Sequence, residues 1–115
     1  MIKMNLFLTR RSDLSFEQFA DHWMNNHWPV VQTVPEVKQY SRRYVQQHSA
    51  HVTVPGATNA PFDGIAEAWF DDIESAMKVV GSDNWANIVQ KDDLLFLDTS
   101  KTQIIFTEEK VDASF

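Results

Sequence analysis

Four histidines supply the readiest proton chemistry in this chain of 115 residues. An imidazole changes charge near neutral pH, so it can give or take a proton where few other side chains can. One of the four, His27, ends the stretch Phe16–Pro29, FEQFADHWMNNHWP. A helix advances about 100° per residue. On that wheel Phe16, Phe19, Trp23 and His27 share one stripe, while Glu17, Asp21 and His22 fall off it. A titratable ring at the end of an apolar stripe faces either a pocket or the nearby backbone. In a pocket it can serve as acid or base toward an enol, lactone or phenol. His22, off the stripe, reads as a solvated surface residue.

Tyrosine offers a hydroxyl that can orient a carbonyl or phenolate oxygen. Tyr40, Arg42 and Tyr44 alternate along a predicted strand and share one of its faces. Tyr40 is the candidate for the pocket, and Tyr44 stays open between pocket and packing. Arg42 can pair with a carboxylate ligand or with an acidic side chain. Ala66 and Ala68 matter for being small, since opposite Phe16, Phe19 and Trp23 they leave room for a ligand. His48 and His51 stand three apart in a loop, with no third ligand at a motif spacing such as H-E-x-x-H. No metal site is expected there. The chain also carries no glycine-rich phosphate loop, serine elbow or nucleotide fingerprint.

These groups need elements to hold them. Ile2 to Thr9 alternates as a strand does. Ser15 and Gln18 form a capping-box pattern that opens the first helix, and Pro29 should perturb that helix from Trp28 on. A short helical turn then leads into a second strand over Val37 to His48. The segment from Ser49 to Asp63 is a long loop, the kind that often rims a binding site. Gly64 to Phe70 reads as a third strand. Asp71 with Glu74 suggests a second capping box, for a helix to about Val80. Helix resumes from Asn84 to Leu97, and Thr102 to Val111 closes as a fourth strand. The order β-α-β-β-α-β predicts an α+β, ferredoxin-like domain over residues 1–115, a four-stranded antiparallel sheet with both helices on one face.

The strands lack a cleanly polar face. Ile65, Glu67 and Trp69 lie opposite Ala66, Ala68 and Phe70, and Phe7 and Ile105 are likewise left over. Helices can cover only one side, so a homodimer through the open sheet face is the expected partner. The net charge of −6 and a pI near 5.0 argue against nucleic acid and anionic membrane. No run of about 18 apolar residues is present, so no transmembrane helix is expected. The N-terminus has no signal-peptide pattern. With no cysteine in the chain, disulfides and thiolate chemistry are excluded and a cytoplasmic setting is the default.

The helix FxxFxxHWxxNHWP, the strand YSRRY and the segment FDGIAEAWFDD together resemble the EthD-like family over essentially the whole chain. Two parts are specific: Trp23, His27 and Pro29 at the helix end, and Asp63 to Asp72. The resemblance implies a dimeric α+β barrel, in which two sheets face each other and each protomer keeps a cleft between sheet and helices. The family is similar in fold to muconolactone isomerases, polyketide cyclases and cofactor-free monooxygenases, and its founding group is associated with bacterial ether degradation. By that resemblance the helix-end histidine matches His27 and the aromatic at the start of the second strand matches Tyr40. In the methylmuconolactone-isomerase branch a cysteine stands where this chain has Ala68, and a loop histidine corresponds to His48 or His51. The expected function is a small cofactor-independent enzyme acting on a hydrophobic oxygenated ring or lactone. His27 and Tyr40 would be catalytic, and Trp23, Phe19, Arg42, His48, His51 and Ala68 would bind substrate. The alternative is a protein that only binds such a molecule, as a carrier or as an accessory to an oxygenase.

Overall fold

The computed structural model describes residues 1–115. Four strands, β1 (Ile2–Leu8), β2 (Ser41–His48), β3 (Gly64–Phe70) and β4 (Gln103–Thr107), form one sheet in the order β2-β3-β1-β4. All neighbouring strands run antiparallel. The first crossover carries α1 (Phe16–His22), a π-helical turn (Trp23–His27), α2 (Trp28–Gln32) and α3 (Pro35–Tyr40). The second carries α4 (Ile73–Val80), another π-helical turn (Trp85–Val89) and α5 (Gln90–Phe96), then a single 3₁₀ turn (Thr99–Lys101). This is the ferredoxin-like α+β arrangement expected from the order of elements. The helices pack on one side of the sheet, against Met4, Leu8, Ala68 and Phe70.

Ser15 caps α1 as a true capping box: its hydroxyl accepts from the Gln18 N–H, and the Gln18 side chain accepts from the Ser15 N–H at 2.8 Å. Pro29 does not end the helix. The preceding turn widens instead, with the Trp28 N–H reaching back to the Trp23 carbonyl. A proline ring clashes with the carbonyl four residues earlier in a regular α-helix. Widening that turn relieves the clash, so helical backbone continues to Gln32.

Three boundaries differ from expectation. Val37 to Tyr40 is helical rather than extended, because Pro35 starts a short helix at its favoured first turn and Glu36 supports it there. α4 is capped by Asp72, whose side chain accepts from the Ser75 N–H at 2.8 Å, not by Asp71. β4 ends at Thr107.

Within β2 the pairing shifts between Ser41 and Arg43. Arg42 is the extra residue of this bulge, and Ser41 and Tyr44 both face the helices as a result. Simple alternation puts those two on opposite faces. On the open face, Trp69 is only 8% exposed within the single chain. Lys3 and Arg43 lie over its ring, and its indole N–H donates to Glu109 of the C-terminal segment. The bare tryptophan expected from the sequence is therefore clothed by charged side chains.

Candidate functional site

Between sheet and helices lies a partly enclosed cavity of about 80 Å³. Its floor is laid by rows of the sheet. Tyr44, Ala68 and Met4 pair across three strands, and Ala66 and Leu6 lie one step further on. The two alanines keep that floor low. Its walls are two helical stripes at four-residue spacing: Trp23, His27 and Val31 from the first crossover, and Trp85, Val89, Asp93 and Leu97 from the second. A step of four residues overshoots an α-helical turn by about 40°. Each stripe contains one π-helical turn, and the wider turn offsets that drift. Both stripes therefore keep facing the sheet. Trp23 sits so close to β3 that a side-chain carbon at Gly64 would lie 2.5 Å from its ring, so that position must be glycine.

Fourteen of the eighteen lining residues are apolar, and His27 and Asp93 are the titratable pair among the rest. His27 is 6% exposed. Its Nδ1 lies 2.6 Å from Oδ2 of Asp92, and its Nε2 lies 3.6 Å from Oδ1 of Asp93. His22 shares the same Asp92 oxygen through its Nε2 at 3.0 Å, while its Nδ1 faces the Asn26 side-chain amide. A carboxylate accepts and does not donate. Asp92 therefore draws an N–H from each histidine, which leaves the Nε2 lone pair of His27 toward Asp93 and the cavity.

Burial lowers the pKa of His27 below the ordinary histidine value; the hydrogen bond and charge of Asp92 oppose that shift, and His22 adds to it. Asp93 moves the other way. Burial and then repulsion from Asp92 push its carboxyl up to about 7. Tyr44 is raised to about 12, by burial first, against smaller hydrogen-bonding effects of Gln46 and Trp23. The cavity thus favours the neutral form of all three groups. A neutral imidazole that can accept a proton stands beside a carboxyl that can donate one.

The sequence candidates divide sharply. His27, Trp23 and Ala68 line the cavity. Phe19 is fully buried behind them, against Phe96 and Trp23. Tyr40 does not reach the cavity: it ends α3, with Lys78 over its ring, and Tyr44 holds the position on the sheet. Arg42 points outward from its bulge and grips Asp71 with two hydrogen bonds, at 3.1 and 2.8 Å. His48 stacks on the far side of Trp23 and bonds Gln46. His48 is the last residue of β2 and not part of the loop; it and His51, which packs edge-on against Phe16, line a separate depression under the 49–63 loop. That loop rims the depression and not the cavity. His22, expected in solvent, stacks on Phe96 and joins the Asp92 network.

Asp92 and Asp93 were not singled out by sequence reasoning. Asp93 had a signal, an acidic residue on the apolar stripe Trp85, Val89, Asp93 and Leu97. Asp92 had none, because only the fold brings it to His27.

Comparison with known proteins supports the architecture. An EthD family protein from Bacillus halodurans is 22% identical, with a TM-score of 0.69 over 95% of this chain and 98% of that one. A dimeric protein of ferredoxin-like fold from Bacteroides fragilis is 14% identical, with a TM-score of 0.64 over 94% of this chain and 95% of that one. A putative antibiotic biosynthesis monooxygenase from Nitrosomonas europaea is 10% identical, with a TM-score of 0.62 over 96% of this chain and 100% of that one. No functionally curated protein matches the sequence. The sequence profile of the EthD domain matches residues 11–100, and on that match, with the fold agreeing, the chain belongs to the EthD family.

Proposed function

We propose that this protein is a small cofactor-independent enzyme that moves a proton on a hydrophobic oxygenated ring or lactone held between sheet and helices. The observation that carries the reading is the Asp92–His27 pair at Nδ1, with Nε2 of His27 toward Asp93 on the wall of an apolar cavity. His27 takes a proton from the ligand at Nε2, and Asp92 holds the resulting imidazolium through Nδ1. Asp93 returns a proton to the ligand's oxygen or to a neighbouring carbon. The ligand leaves as an isomer, with no net gain or loss of protons, and return of the proton from Nε2 of His27 to Asp93, 3.6 Å away, restores both groups.

A second reading is a non-catalytic binding protein or an accessory to an oxygenase, and it draws on the monooxygenase description of the Nitrosomonas europaea neighbour. One experiment separates the two. Wild-type protein should accelerate exchange of the α-protons of small cyclic ketones or lactones into deuterated water, followed by NMR. His27→Asn should slow that exchange by roughly two to four orders of magnitude, the range of a positioned acid/base, with little change in melting temperature. Under the binding reading there is no acceleration to lose, and the same substitution weakens affinity by about 1 kcal/mol.

We infer also that two copies pair through the open sheet face. Phe7, Val45 and Ile65 are half-buried there in the single chain, and Ile105 is 51% exposed. The Bacteroides fragilis neighbour is described as dimeric.

A further inference from the structure

The walls of the cavity bear on which charge its ligand can carry. None of the ten lysines and arginines lines it. Of the cations next to lining residues along the chain, Lys3 bonds Glu67, Arg42 grips Asp71, Arg43 lies over Trp69, Lys78 lies over Tyr40, Lys101 lies 3.8 Å from Asp98, and Lys38 is exposed. An anion entering would leave water without meeting a fixed positive charge. It would also meet Asp93 on the wall, with Asp92 behind His27. A cation meets no such opposition, because the Asp93 carboxyl on the wall can pair with it. What the cavity does offer is a matched pair, a carboxyl and an imidazole nitrogen 3.6 Å apart in an apolar surround. One donates and the other accepts, which suits a hydroxyl or carboxamide at both atoms and a carbonyl or ester at the donor alone.

We propose that the cavity favours an uncharged oxygenated ligand over a carboxylate, with Asp93 as the residue that sets this preference. The proposal rests on the reading of the cavity as the ligand site. It departs from the carboxylate partner that Arg42 offered in the sequence, because Arg42 is on the outside.

Three probes of nearly one shape test it: cyclopentanecarboxamide, cyclopentanecarboxylate and cyclopentylmethylammonium. Each is titrated at pH 7 while the His27 ring signals and backbone amides are followed by NMR. The carboxamide should bind more tightly than the carboxylate by roughly tenfold or more, since the carboxylate finds no compensating charge, and the ammonium should lose affinity in Asp93→Asn. Asp93→Asn should narrow the gap between carboxamide and carboxylate. Thr102→Lys, which brings an ammonium to the rim without altering Asp93, should narrow it further or invert it. A carboxylate that binds wild-type protein as tightly as the carboxamide overturns the selection and leaves the His27 acid/base reading standing. So does a preference that neither substitution changes. If no probe perturbs the His27 ring, the cavity is not the ligand site, and both proposals fall together.

Discussion

On the open face of the sheet, the central charges are paired off. Lys3 bonds Glu67 and lies with Arg43 over Trp69, Asn5 bonds the Thr107 hydroxyl and the Ile105 carbonyl, and Glu109 takes the Trp69 N–H. On the other face of the same strands, Asp93 and the Nε2 side of His27 sit in an apolar cavity that no cation lines. The electrostatic outcomes are opposite. Burial raises the pKa of Glu67, but hydrogen bonds from Lys3 and Gln47 and the charges of Lys3 and Arg43 hold it below its ordinary value. Asp93 has no such partner and rises to about 7. A paired carboxylate is spent on structure. One left next to a neutral histidine keeps a mobile proton, which is the feature expected of a reactive site.

The largest effect is expected on the paired face. Trp69→Glu removes the ring that Lys3, Arg43 and Glu109 surround, and places a charge beside Glu67 and Glu109. Loss of a buried tryptophan alone costs about 3–5 kcal/mol. Wild-type protein should sediment as a dimer at micromolar concentration, and the variant as a species near 13.3 kDa. A wild-type protein that sediments only at the protomer mass removes the dimer from the account. Weak binding of neutral ligands should persist in whatever fraction stays folded, since the cavity lies on the other side.

A smaller effect contrasts the faces through one chemical change, carboxyl to carboxamide. Folded Asp93 has a value of about 7, against 3.8 for an ordinary aspartate. Between those values the folded chain holds a proton that the unfolded chain has lost. Stability from this group therefore falls as pH rises from about 4 to about 7, then levels off. His27 contributes the opposite slope below 6.5, because its folded value is lowered. Asp93→Asn cannot ionise, so it should remove the Asp93 slope and raise the melting temperature at pH 8. At about 1.4 kcal/mol per pKa unit, roughly 4 kcal/mol is the upper limit of that gain. Glu67→Gln should do the reverse. Its folded value is lowered, so its contribution is present above the ordinary glutamate range and lost on acidification. Melting curves from pH 4 to 8 that move both variants in the same direction would break the comparison.

How far the sequence anticipated this depended on whether a residue's partners were local. The β3 limits, the capping box and the inward turn of His27 follow from periodicity and nearest neighbours, and all three are present. The course of the chain through Pro29 was misread, because a π-helical turn leaves no periodic trace in so short a segment. Tyr40 and Arg42 were misplaced for a related reason. One extra residue in β2 changes which side chains share a face, and α3 takes up what looked like the strand's start. The Asp92–His27 contact spans 65 positions and has no local signature. Asp93 was legible as an acid on the apolar stripe Trp85, Val89, Asp93 and Leu97.

The smallest expected effect is also the cleanest check on charge at the cavity. Arg42 was the one cation the sequence offered to a ligand, and the bulge carries it outward. Its guanidinium is bound in a fork by Asp71, and the two side chains are 45% and 50% exposed. Exposed pairs of this kind contribute little to stability, since water and salt screen them and both side chains lose freedom on pairing. Arg42→Ala should therefore leave the affinity for neutral probes, their preference over carboxylates and the His27 titration unchanged. Titrating the variant alongside wild-type protein, with the same carboxamide and carboxylate, checks all three. If carboxylate binding weakens selectively, Arg42 reaches the ligand after all, and the cavity would then have a cation of its own. An unchanged pair of affinities leaves charge selection with Asp93, Asp92 and His27, whose contacts all lie on the helix-covered face.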